Sequence, residues 1–320
     1  MSRSPVPPPE RARSGVVRLA DAELLGVSRA ELSSLRWHRL GPGVRAWHEQ
    51  DELDPLLRIR AVGVRMPKGA VIGGWASLRW QGVTGIDGKT GPGGRTPLPV
   101  LVHVGQHGRL AKQPGLLVDR GRLDDADVIE VDGLRVTVAG RAVFDVMCRD
   151  GPEEGLVVGD LAWKAGLVTQ TEMARRVAAS PPVRRIASAR LAVPLLDKRV
   201  RSIPESRFRY VWVVEAGLPK PLVNRGIVDD EGFLIGEADL LDPEAAMVGE
   251  YDGEGHRELG QHTHDNVREE SFEGLNLQVV RATSIDLWPK RRRLVQRLQQ
   301  AHARGLDRDA SKDSWGIRTS

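Results

Sequence analysis

Five residues between positions 205 and 256 have the types and spacing to do chemistry together: Glu205, Asp239, Glu250, Asp252 and His256. Asp239 falls near the end of one expected strand, and Glu250 near the end of the next, across a tight turn. Neighbouring strands lie about 4.8 Å apart, so the two carboxylates can converge on one cation. Side chains alternate along a strand, so Glu250 and Asp252 share a face if the strand extends that far. Around them stand Leu240, Leu241, Ala246, Met247 and Val248. Carboxylates in such apolar surroundings are costly unless paired or metal-bound. The alternative is a solvent-facing sheet edge with acidic residues. Three histidines, His256, His262 and His264, crowd the same stretch. A zinc site lacks support there, because Cys partners and the helical H-x-x-x-H spacing are missing.

The elements that must position these residues follow from local signals. Pro204 opens a helix at its favoured first position, and Gly217 stops it. Strands are expected over 221–228, 233–241 and 245–251, with Asp229-Asp230-Glu231-Gly232 as a hairpin turn. A loop over 253–260 and a helix over 262–273 come next. A strand over 277–282 and an amphipathic helix over 289–303 close the order α-β-β-β-α-β-α. Leu294, Val295 and Leu298 are the buried stripe of that last helix. The run Lys290-Arg291-Arg292-Arg293 beside them is either a solvated face or a grip on DNA phosphates.

Upstream, residues 1–15 are rich in Pro, Ser and Arg and read as a tail. Residues 19–36 read as two short helices, the second starting at Ser28, where Ser28 and Glu31 form an S-x-x-E capping box. Gly41-Pro42-Gly43 reads as a turn between short strands. Helix, helix and hairpin together suggest a winged helix-turn-helix over 16–50, or else a small helical cap on the middle domain. Residues 53–65 and 72–81 look helical, and 98–104, 116–119 and 128–138 look like strands. Helices come after them over 141–149, 153–165, 171–179 and 183–200.

Composition bounds the class. The chain has 320 residues, which predicts two or three domains, and its 40% hydrophobic and 28% charged content is globular. The single Cys148 excludes a disulfide framework and a Cys-based zinc finger. No apolar run approaches a bilayer span, and the first residues lack the apolar core of a secretory signal, so a cytoplasmic, membrane-free protein is expected. Residues 1–200 carry a net +8, and residues 205–273 a net −11. A basic front half suits a polyanion. A concentrated acidic segment suits either a solvated surface or a divalent cation.

The segment GEADLLDPEAAMVGEYDGEGHR, residues 236–257, resembles the core of the PD-(D/E)XK nuclease superfamily, in the branch of the very-short-patch-repair endonucleases. The matching pieces are Asp239, Glu250-Tyr251-Asp252-Gly253 with His256, Asp265 with Arg268, and Val279-Val280-Arg281, preceded by Pro204-Glu205-Ser206. The Lys of the superfamily pattern is replaced by Asp252. The resemblance covers residues 202 to about 303. It implies an α/β protein whose restriction-endonuclease-like domain spans 202–305, before a tail at 306–320. It also implies Mg²⁺- or Mn²⁺-dependent hydrolysis of DNA phosphodiesters, in repair or defence. Asp239, Glu250 and the Tyr251 carbonyl would be the metal ligands. Glu205 would orient the attacking water or support a second ion, Asp252 would hold that water, and His256 would contact phosphate or donate a proton.

Residues 16–50 are similar to the winged-helix start of abortive-infection antitoxins, and 51–201 to their second, α+β domain. The pieces are Gly43-Val44-Arg45-Ala46, Val71 to Leu78, Asp132 to Thr137 and Arg141 to Asp145. A winged helix would read DNA through the helix 29–36, with Arg29, Arg36, Arg39 and Arg45 on it or beside it. Arg268 and Arg291 are further DNA contacts that the nuclease reading implies. The rival expectation is a DNA-binding, antitoxin-like regulator whose nuclease fold no longer cuts.

Overall fold

The computed structural model describes residues 8–90, 96–253, 272 and 274–318. The protein is α/β with several sheets, and its contacts divide it into two compact units, Met1–Val146 and Met147–Ser320. No helix among the described residues is long and apolar enough to cross a membrane.

The first unit opens with the helix Glu10–Arg13, whose Ala12 is fully buried, so this part of the expected tail is packed. Strands β1 (Val16–Arg18), β2 (Trp37–Gly41) and β3 (Val44–Trp47) form an antiparallel sheet in the order β1-β3-β2. The turn between β2 and β3 places Gly43 at φ +68°, where a side chain would be strained. Ser28 caps its helix as its spacing predicts, its Oγ accepting from the Glu31 N–H at 3.0 Å. That helix is only Arg29–Leu32, not 29–36. Ser33 Oγ donates back to the Arg29 carbonyl, and the chain then turns to bury Trp37.

A second sheet uses β4 (Val71–Gly73), β7 (Val100–His103), β8 (Leu116–Asp119), β9 (Val128–Val131) and β10 (Leu134–Thr137), ordered β8-β7-β4-β10-β9. The minimal pair β5 (Lys89–Thr90) and β6 (Thr96–Pro97) stands apart from it. The expected helix from Ile72 begins instead at Gly74, because Val71, Ile72 and Gly73 form the buried central strand. Gly73 lies against His103, where a Cβ would come within 2.6 Å of Nε2. The expected single strand 128–138 is a hairpin, turned by Asp132 and Gly133, both at positive φ.

In the second unit, helices Pro152–Lys164, Gln170–Ala179 and Ile186–Ala192 precede the helix Ile203–Tyr210. The long helix expected over 183–200 is absent: Pro194 follows Ile186–Ala192 in a 3₁₀ turn, since proline cannot continue the hydrogen-bond ladder. The main sheet contains β11 (Leu222–Asp229), β12 (Leu234–Asp242), β13 (Met247–Asp252), β14 (Gln278–Thr283) and β15 (Trp315–Ile317), in the order β14-β13-β12-β11-β15. The first three strands run antiparallel in turn, and β13 pairs with β14 in parallel. The short helix Ser284–Leu287 and the closing helix Arg291–Leu306 come after β14. Leu294 and Leu298 of the closing helix are fully buried, as the apolar stripe predicts. Two boundaries differ from expectation. Within the expected tail 306–320, β15 pairs with β11. The helices from Pro152 onward belong with the second unit, because Asp160 accepts from Ser206 Oγ at 2.7 Å and pairs with Arg209, while Glu153 pairs with Arg207. The expected helix over 262–273 lies outside the described residues except for Phe272, which is buried.

Candidate functional site

The hairpin of β12 and β13 is built by a local turn. Asp242 Oδ1 accepts from the N–H groups of Glu244 at 3.0 Å and Ala245 at 3.2 Å, which folds the chain back on itself. The resulting register is Asp242↔Met247, Leu241↔Val248 and Leu240↔Gly249. The paired register ends at Leu240↔Gly249, and Asp239 and Glu250 are the next residue on each strand. Gly249 lets the strand pass under Phe208 and Trp212, where a Cβ would come within 2.9 Å of both rings. By alternation Glu250 points to the face opposite Gly249, and Asp239 to the face opposite Leu240. The Tyr251 N–H donates to Asp239 Oδ2 at 2.8 Å, which fixes that carboxylate at the strand end. The parallel pairing with β14 places Arg281 beside Glu250, and Thr283 beside Asp252. Glu250 is half-buried and Asp252 exposed.

Glu205 is 6% exposed and sits in the first turn of its helix. Its Oε1 accepts from Ser202 Oγ at 2.9 Å, and its Oε2 from the Arg201 N–H at 2.9 Å. Ser202 Oγ in turn accepts from the Glu205 N–H. This reciprocal capping fixes the helix start. A third donor, Asn224 Nδ2, reaches Glu205 Oε2 at 2.9 Å from the middle of β11. Sequence reasoning missed Asn224; the available signal was a turn-favouring residue inside an otherwise strand-like run. Among the described residues no group of three His, Cys, Asp or Glu side chains gathers to hold an ion. The expected set was two carboxylates and a backbone carbonyl. His256, His262, His264, Asp265 and Arg268 lie outside the described residues.

The expected DNA contacts divide. Arg29 and Arg39 are exposed. Arg36 instead pairs with Glu31 and lies over the Trp47 ring at 5.7 Å. Arg45 donates Nε to the Leu32 carbonyl at 3.2 Å and Nη1 to the Val44 carbonyl at 3.1 Å. Arg291 bonds Glu153 with both terminal nitrogens, at 2.9 and 2.6 Å, and Glu215 at 2.7 Å, and lies over Trp288. Its guanidinium is spent on the fold, while Lys290, Arg292 and Arg293 are exposed. A cleft of about 600 Å³ beside Trp47 sets Glu49, Asp51 and Asp54 against Arg13 and Arg60, a balance that does not favour a phosphate.

Two buried networks were not visible in the sequence. In the first unit, His103 is 2% exposed and its Nε2 lies 3.0 Å from Asp145 Oδ2. Arg141 donates to Asp145 at 2.9 Å and to Asp127 at 3.2 Å. In the second, Asp160 accepts from Ser206, from Arg209 and from the Asp197 N–H at 2.8 Å. Burial, partly offset by Arg209, pushes the Asp160 carboxyl up to about 6. Both networks fasten elements together. No protein-family model, no curated protein and no solved structure matches this chain.

Proposed function

We propose that the second unit is a restriction-type, divalent-metal-dependent DNA endonuclease and that the first unit, through a winged helix, supplies much of the DNA contact. The observation that supports this reading is the β12–β13 hairpin, whose last paired position, Leu240↔Gly249, adjoins Asp239 on one strand and Glu250 on the other. The helix, three-strand meander and parallel fourth strand support it, since they are the order the sequence resemblance requires.

The residues fit a hard cation. Asp239, Glu250 and the Tyr251 carbonyl offer only oxygen, the donor type that Mg²⁺ and Mn²⁺ prefer. Such a cation, when bound, lowers the pKa of water and neutralises charge that builds on the phosphate. The chain's own residues do the rest. The Tyr251 N–H orients the Asp239 carboxylate. Arg281, beside Glu250, brings positive charge to a site whose pattern lacks the superfamily Lys. Asp252, exposed at the strand end, would accept a hydrogen bond from an incoming water.

The test is incubation of the full chain with single-stranded, mismatched and duplex DNA, in Mg²⁺, Mn²⁺ or EDTA. Cleavage is expected with metal and not with EDTA. Asp239→Asn and Glu250→Gln should stop cleavage while leaving the melting curve close to wild type. A Glu250→Gln protein that cuts at the wild-type rate removes this site from the chemistry. DNA binding without cleavage in any metal favours the antitoxin-like regulator, the reading to which the replaced Lys at Asp252 gives weight.

A further inference from the structure

The closing helix Arg291–Leu306 opens with charge of the wrong sign for its place. Aligned peptide dipoles leave a helix N-terminus partly positive, so acids are favoured in the first turn and cations are not. This helix has no acid there, and Lys290, Arg291, Arg292 and Arg293 crowd its start. Arg291 is accounted for, through Glu153 and Glu215. The acids of the neighbourhood are taken as well: Glu153 and Glu154 pair with Arg207, and Asp286 with Arg297 at 3.2 Å. Lys290, Arg292 and Arg293 are exposed and have no acidic partner among the described residues. Beside them stand two apolar side chains that the fold leaves open, Trp288 at 38% exposure and Ile285 at 49%. The Arg291 guanidinium lies over the Trp288 ring, 4.5 Å from its centroid. The Trp288 backbone N–H donates to the Ser284 carbonyl at 2.9 Å, which fixes its place at the end of the short helix. That place is near the strand end that carries Asp252. Thr283 pairs with Asp252, and the helix Ser284–Leu287 starts on the next residue. Trp288 therefore lies at most about 18 Å along the chain from Thr283.

We infer that Trp288, with Lys290, Arg292 and Arg293, is a landing surface for single-stranded DNA, stacking an unpaired base on the indole and setting phosphates against the three cations; the inference rests on the nuclease reading above. An exposed aromatic ring among uncompensated cations suits a single strand, because the cations meet its backbone and every base has a π-face to stack. A base inside a duplex is already stacked on its neighbours and has no face to offer. A purely apolar partner would gain nothing from the cations, and an anion without rings would gain nothing from Trp288. The distance fits the chemistry too. A span of about 18 Å is roughly five nucleotides at 3.4 Å each, so the strand held here is the one whose phosphodiester reaches the acids at the end of β13.

The experiment is fluorescence anisotropy of the full chain with a labelled oligo-dT and with a duplex of the same length, in EDTA so that binding is read without cleavage. Wild type is compared with Trp288→Ala, Trp288→Phe and the double variant Arg292→Ala/Arg293→Ala, with thermal melts alongside. Trp288→Ala should weaken oligo-dT binding about 5–150-fold, the range for one base stacked on an aromatic side chain. Trp288→Phe should keep most of the affinity, and duplex binding should hold in both. The double variant should flatten the salt slope for oligo-dT by about 1.4, at about 0.7 for each phosphate of a single strand. Trp288→Ala protein that binds oligo-dT like wild type overturns the inference and leaves the nuclease reading standing. Equal losses on oligo-dT and duplex overturn it as well, since the surface then does not select unpaired bases. If Trp288→Ala does not fold, the double variant decides, and an unchanged salt slope counts against the inference. Phosphatidylserine vesicles run in the same series test a membrane instead. A double variant that loses vesicles but keeps oligo-dT overturns the inference. A wild-type chain that binds neither DNA at low salt overturns the nuclease reading and this inference with it.

Discussion

Asp160 and Asp252 show how differently two acids of one unit respond to their surroundings. Asp160 is fully buried, and its carboxyl is pushed up to about 6 by that burial, against the pull of Arg209. The folded state thus holds the Asp160 proton more tightly than the unfolded chain does, whose value is near 3.8. The stabilisation is complete below about pH 4 and is lost as pH rises through about 6. Two pH units correspond to about 3 kcal/mol. Urea unfolding of wild type and Asp160→Asn between pH 4 and 7 should show the wild type losing roughly that much relative to the variant. Parallel curves would take Asp160 out of the pH response. Asp252, by contrast, is exposed. Asp252→Asn should change stability in the absence of metal by no more than about 0.5 kcal/mol, as a thermal melt would show.

At the scale of elements, the closing helix Arg291–Leu306 is held at both ends. At its start, Arg291 bonds Glu153, Glu215 and, through Nε, the Leu287 carbonyl at 2.7 Å. Burial alone would push the Glu153 carboxyl up, but Arg291 and Arg207 more than offset this and hold it below its usual range. Arg291→Ala should cost about 1.5–3 kcal/mol in denaturant unfolding, the range for hydrogen bonds to charged partners, while leaving DNA affinity unchanged. A fall in DNA affinity at unchanged stability would return Arg291 to the DNA contacts. Near the other end, Gly305 packs on the backbone of Ala245, where a methyl group would overlap the carbonyl oxygen. Gly305→Ala should therefore destabilise by about 1–3 kcal/mol or more through overpacking, despite alanine's better helix propensity. A melting temperature at or above wild type would show that this contact has room to give.

For the whole molecule, charge sorts the units. Residues 1–146 carry a net +5 and residues 147–320 a net −1. Binding to DNA should weaken steeply with salt as phosphate contacts release counterions. Of the arginines expected on or beside the winged helix, Arg29 and Arg39 are exposed and open to such contacts. Each Arg→Ala substitution should weaken binding across sequences and flatten the salt slope by about one. Arg45→Ala should instead act through stability, since its guanidinium holds the Leu32 and Val44 carbonyls. Salt slopes from the full chain and its three variants separate the two effects. An unchanged slope in both Arg29→Ala and Arg39→Ala would move the DNA contact off this surface.

Features that depend on neighbours a few residues apart were legible in the amino-acid order. The Ser28 cap, the Pro204 helix start, the turn at Asp242 and the alternation around Asp239 and Glu250 all rest on short-range hydrogen bonds and strand period, so the hairpin that presents the acid pair could be read directly. Breaks in that local logic were harder to see. Gly73 and Asn224 read as weak points in a pattern until His103 and Glu205 are seen beside them. The chain order could not reveal which distant groups meet. Arg291 and Glu153 are 138 residues apart, and His103 and Asp145 are 42. β15 becomes a strand only because β11 offers it an edge. Such partners are chosen by the packing of whole elements, where a buried charge must find its opposite or the fold does not close. The acid pair was therefore local knowledge, whereas the commitment of Arg291, the brace on Glu205 and the extent of each unit were decided only by the tertiary structure.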